Sequence, residues 1–143
     1  MKRILKTVAA GAAVACALCL AGCGGGKTKY TGDYHYDTEY GVYGVKVEVE
    51  VMNGIVKDVD IISSHYEEVT DIWEGKENYL QNREAMLESF EGKSVQEILS
   101  YTVSTETDGT PAQISAGSLK VVSGATQCSG RLILAVQDAL KKV

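Results

Sequence analysis

Proline occurs once in the 143 residues, phenylalanine and tryptophan once each, and histidine twice. Of the four cysteines, Cys16, Cys19 and Cys23 sit at the N-terminus and only Cys128 lies in the body of the chain. One thiol, two histidines and scattered carboxylates do not make a metal centre, and a zinc or iron–sulfur site built on cysteine is excluded there. No Ser-His-Asp pattern, zinc motif or paired-carboxylate motif stands out. Basic runs are absent too: 14 Lys and Arg face 19 Asp and Glu, so nucleic acid is not an expected partner. The shortage of proline, with 15 glycines and 45% hydrophobic residues, describes one globular domain rather than a disordered chain. There is no internal repeat.

What the chain does have begins with a targeting pattern. Lys2, Arg3 and Lys6 precede an apolar, Ala-rich run from Val8 to Leu20, shorter than a membrane-spanning helix. The run ends in Leu20-Ala21-Gly22-Cys23, followed by Gly24-Gly25-Gly26. This resembles the lipobox of bacterial lipoproteins, which implies a signal peptide over residues 1–22 and acylation, as with palmitate, of the Cys23 thiol. Residues 23–29 then read as lipidated Cys and flexible tether, and residues 30–143 as the domain. Cleavage would remove three of the 14 basic residues and none of the 19 acidic ones. The acyl chains, not charge, would hold so acidic a domain to the extracytoplasmic face of the membrane. Cys128 is left with no thiol in the mature chain to pair with.

Along the domain, Tyr30, Tyr34 and Tyr36 alternate as in a first strand, and Tyr40 to Gly44 reads as a glycine-loosened loop. Tyr43 is a candidate aromatic wall beside a planar ligand; sheet propensity alone also accounts for such tyrosines. Val45 to Val51 alternates valine with charge, Asn53-Gly54 signals a type I′ turn, and Ile55 to Ile62 is the return strand. His35 and His65 read as surface residues, with His65 also a candidate hydrogen-bond partner for a ligand. Tyr79 to Phe90 predicts a helix ended by Gly92. Ser94 to Leu99 predicts a short helix with a Ser94/Glu97 capping box. Val103 to Leu119, with Asp108-Gly109 and Pro111, reads as a polar loop.

The most informative stretch is Val121-Val122-Ser123-Gly124-Ala125-Thr126-Gln127-Cys128-Ser129, leading into Gly130 to Leu140. An apolar, strand-like pair runs into small residues and then a helix. Leu132, Val136 and Leu140 recur at every fourth position, and Ile133, Ala135 and Ala139 widen the apolar stripe. Ser123, Thr126 and Ser129 stand where hydroxyls cap free amides. Such a helix start offers unpaired N–H groups and a positive dipole end to a phosphate. The same position is one that lowers a thiol pKa, here that of Cys128; a small packed residue is the other reading of that cysteine.

Ser123-Gly124-Ala125-Thr126 at the head of a C-terminal helix resembles the signature of the FMN-binding domain family. That family includes the FMN-carrying subunits of the sodium-pumping NADH:quinone reductase and of the Rnf complex. The hairpin also matches, with Gly41-Val42-Tyr43-Gly44, an alternating strand, Asn53-Gly54 and a second strand. The resemblance implies an α+β fold, a small antiparallel sheet and β-hairpin packed against helices, with the FMN-phosphate site at the N-terminus of the last helix. It implies FMN held by Ser123, Gly124, Ala125, Thr126 and Gln127, joined by a flavin transferase through a phosphoester to the Thr126 hydroxyl. In such proteins the segment after the second strand helps border the flavin; here that segment holds Tyr66, a candidate neighbour of the ring. The implied role is an electron carrier between a membrane donor and an extracytoplasmic acceptor rather than a stand-alone enzyme. Lys120 departs from the family pattern, which usually has Asp three residues before the Ser. That leaves a non-covalent FMN protein, or a flavin-free binding or sensory module on the same fold, as alternatives.

Overall fold

The computed structural model describes residues 26–39, 41–64 and 76–143. The expected signal peptide, Cys23, Tyr40, His65, Tyr66 and Trp73 lie outside the described residues. The fold is α+β. Strands β1 (Thr28–Thr38), β2 (Gly41–Met52) and β3 (Ile55–Ser64) form an antiparallel sheet in sequence order. Helices α1 (Lys76–Ser89) and α2 (Val95–Leu99) follow, then a two-stranded sheet of β4 (Thr102–Thr105) and β5 (Pro111–Ser115), and finally helix α3 (Thr126–Leu140). Among the described residues no helix is long and apolar enough to cross a membrane.

The valine alternation of β2 decides which face of the sheet is buried. Val45, Val47 and Val49 are wholly buried and Val51 nearly so. Across the ladder, Tyr30, Gly32, Tyr34 and Tyr36 of β1 face the same side, opposite Val49, Val47, Val45 and Tyr43. On the other face Glu48 is also buried, where its Oε1 meets Lys29 Nζ at 3.1 Å. Asn53 (φ 54°) and Gly54 (φ 74°) both take the left-handed conformation that a type I′ turn needs. The connection from α1 to α2 covers the start of the β3 edge. Val56 N–H donates to Lys93 O at 2.9 Å, Gly92 N–H to Val56 O at 2.8 Å, and Val95 N–H to Gly54 O at 2.9 Å. The Ser94 hydroxyl accepts from Glu97 N–H and caps α2.

Four expectations change. Residues from Gly41 to Gly44 are the first part of β2, not a loop, and β1 starts at Thr28, inside the stretch expected as tether. Val121 and Val122 belong to no strand. Residues 103–119 are not one loop: they carry most of the β4–β5 hairpin, closed around Asp108-Gly109, with Gly109 at φ 96°. Pro111, which lacks an N–H, opens β5 beside a register shift, a place where a missing donor does little harm.

Helix α3 is the centre of the packing. Its buried residues include Cys128 to Ile133, Ala135 to Gln137, Ala139 and Leu140, far more than one stripe. Two sheets explain this. On one side α3 lies against β1, where a Cβ at Gly32 would run into the Ala135 carbonyl and come within 2.8 Å of the Ala139 Cβ. On another side the small hairpin rests on Gly130, where a Cβ would meet Pro111 Cγ and Val103 Cγ1 at 3.1 Å. Gln137 Nε2 donates to Ile98 O and Tyr101 O, both at 2.9 Å, and ties α3 to the end of α2. Asp33 N–H donates to Asp138 Oδ2 at 3.0 Å.

Backbone against backbone leaves Gly32 no way to yield. Gly32→Ala is therefore expected to destabilise the domain by about 1–3 kcal/mol, the usual cost of overpacking. Urea unfolding checks this, and an unchanged midpoint would show that α3 is not seated on β1 as described.

Candidate functional site

The start of α3 is built from a short irregular run. Leu119 N–H donates to Ala116 O at 2.9 Å, Lys120 N–H to the Ser89 hydroxyl at 3.1 Å, and Val122 N–H to the Ser129 hydroxyl at 3.3 Å. Gly124 then turns the chain at φ 76°, a conformation that favours glycine, and open space surrounds the position of its absent Cβ. Ala125 stands at the N-cap with φ −128° and ψ 48°, and no side chain caps this end of the helix. Thr126 is the first helical residue, so its hydroxyl does not cap. Ser129 does accept an amide, but that of Val122, ahead of the helix. The first turn is thus an uncapped positive dipole end, with Thr126 and Gln127 exposed on it and Cys128 wholly buried.

The five residues expected here separate by exposure. Ser123, Gly124, Thr126 and Gln127 are exposed, and Ala125 is buried. Beside them is an open cavity of about 240 Å³, lined by Asn78, Asn82, Ala85 and Met86 of α1 and by Lys120, Val121, Val122 and Ser123. Asn78 Nδ2 donates to Ser123 O at 2.6 Å, and Asn82 Nδ2 donates to Asn78 Oδ1 at 2.9 Å. With the Ser89–Lys120 bond, these contacts hold α1 to both ends of the segment that precedes α3. Among the described lining residues Lys120 is the one that carries charge.

Behind the first turn lies a buried cluster. Arg131 is 1% exposed; its Nε donates to Gln127 O at 3.3 Å, and its Nη2 touches Cys128 Sγ. The guanidinium sits 5.2 Å from the Tyr43 ring centre and 5.7 Å from that of Tyr36, and the two rings stack at 5.8 Å. Tyr43 is therefore packed against Arg131 and does not line the cavity. His35 points to the opposite face of the sheet, with its ring across Gly44 and its Nδ1 3.5 Å from Asp33 Oδ1. Among the described residues no group of three His, Cys, Asp or Glu could hold a metal ion.

Cys128 corrects the expectation of a lowered thiol pKa. The side chain is wholly buried, and burial pushes its pKa up to about 11 against the opposing pull of Arg131. The helix start acts on groups in front of it, whereas this thiol points into the core.

Asn78, Asn82, Ala85 and Met86 were not expected at the site. A signal for three of them was present. Asn78, Asn82 and Ala85 fall at i, i+4 and i+7, on one helical face. The buried Arg131 was signalled only by a charge placed next to the apolar stripe.

No family model, curated protein or solved structure matches this chain.

The folded protein keeps the Cys128 proton up to about pH 11, while the unfolded chain releases it near the ordinary value of 9.0. Its contribution to stability is complete below pH 9 and is lost as pH rises through 11. Burial holds the Tyr36 phenol to about 12, which extends the loss upward. The melting temperature should accordingly fall between pH 9 and 11, less steeply in Cys128→Ala. At pH 8 a thiol reagent should label Cys128 only on unfolding; rapid native-state labelling would contradict the burial.

Proposed function

We propose that this protein is a lipid-anchored, extracytoplasmic flavoprotein domain carrying one FMN, with its phosphate joined to the Thr126 hydroxyl. The carrying observation is the exposed Thr126 hydroxyl on the first turn of an uncapped helix, beside the open Gly124 turn and the cavity. The donor set suits a phosphate: amides of the first turn and the hydroxyls of Ser123 and Thr126. Amides and dipole together favour an anion at such a place by about 0.3–1 kcal/mol.

In this reading a flavin transferase moves the FMN group from a flavin dinucleotide. The Thr126 oxygen attacks the flavin-side phosphorus, the P–O–P bond breaks, the nucleoside monophosphate leaves with the electron pair, and the hydroxyl proton goes to a base of the transferase. Attachment keeps the cofactor from diffusing away outside the cell, and acylated Cys23 keeps the domain at the membrane. FMN supplies the redox chemistry, and the protein supplies binding and orientation. Electrons pass from a membrane donor to an extracytoplasmic acceptor. Lys120 favours a second reading, because the family pattern usually has Asp there: FMN held without a covalent bond, or a flavin-free binding or sensory module.

Intact mass and in-gel flavin fluorescence distinguish these. Expression with a flavin transferase should add the mass of FMN less water, and Thr126→Ala should abolish the gain. No gain with uptake of added FMN would establish the non-covalent form. A colourless protein that takes up no FMN would reject the flavin altogether.

A further inference from the structure

We infer that the cavity between α1 and residues 120–123 is the subsite for a flat heteroaromatic ring with an imide edge. This rests on the FMN reading and adds residues to it. The cavity's volume, about 240 Å³, is below the roughly 300–1,000 Å³ of pockets that enclose whole small molecules. It therefore suits one part of a ligand. Ser123 lines it and also lies two residues before the N-cap of α3, so a ring in the cavity and a phosphate at the helix start share one neighbour.

The walls are divided in a way that matches such a ring. Ala85 and Val121 give apolar surface over the buried side chains of Met86 and Val122. Asn78, Asn82 and Lys120 supply the polar rim. The carboxamides are already oriented by the chain. Asn78 Nδ2 donates to Ser123 O, and Asn82 Nδ2 donates to both Asn78 O (2.8 Å) and Asn78 Oδ1. Among the described residues Asn82 Oδ1 accepts no hydrogen bond, which leaves it to take an imide N–H. The Lys120 ammonium is the donor for the flanking carbonyl oxygens. In this arrangement Lys120 recognises the ring rather than the attachment enzyme, which gives a role to the residue that departs from the family pattern.

Protein made without flavin transferase tests this, so that binding is reversible. FMN is titrated by flavin fluorescence into the wild type, Ala85→Phe and Asn82→Leu. Ala85 and Asn82 are exposed on α1, and melting curves verify that each variant is folded. Ala85→Phe fills the cavity and Asn82→Leu removes the acceptor. Each should weaken FMN binding by about tenfold or more, the scale of a lost oriented contact. Wild-type affinity in both folded variants would overturn the ring subsite and leave the FMN reading standing. A wild type that binds no free FMN would also overturn the ring subsite, and the FMN reading would then stand or fall by the mass gained on expression with flavin transferase.

Discussion

Helix α3 lies closer to strand β1 than any side chain at position 32 would permit. The rest of the molecule depends on that contact. Gly32 brings the helix backbone against the sheet, and Gly130 lets the small hairpin close on another side of the helix. A helix covered this way can bury most of its circumference, including Ser129 and Arg131. Dispersion and burial along its length then fix where its first turn emerges. The exposed residues Ser123, Gly124, Thr126 and Gln127 owe their position to packing that occurs one to three turns further on.

The buried guanidinium of Arg131 belongs to the same design. It carries charge into the core, where an uncompensated ion is costly. Two stacked tyrosine rings, the Gln127 carbonyl and the Cys128 sulfur surround it. The tyrosines therefore spend their faces on a cation of the protein itself. Aromatic density near a ligand site is not enough to assign stacking on a ligand, and Tyr43 illustrates why.

Much of the fold was legible because its signals are local. Alternating valines and Asn53-Gly54 specify the β2–β3 hairpin, and Ser94 with Glu97 marks the start of α2. The C-terminal helix follows from Leu132, Val136 and Leu140. Other features depend on contacts between distant segments. The β4–β5 strands are short and polar, with Val103 and Ile114 only half-buried, so one-sided burial never wrote an alternation into them. Capping failed as a guide at α3 because Ser129 reaches back to Val122 instead of closing its own helix. The cavity arises where α1 meets residues 120–123, and no spacing within either segment announces the other.

The central claim is that one ligand occupies two adjoining places, its phosphate at the first turn of α3 and its ring beside α1. Amide-resolved NMR during titration with FMN tests both at once. The account predicts shifts concentrated in the backbone amides of Gly124 to Cys128 and in the side-chain amides of Asn78 and Asn82. Shifts confined to other surfaces, or none at saturating FMN, would contradict it.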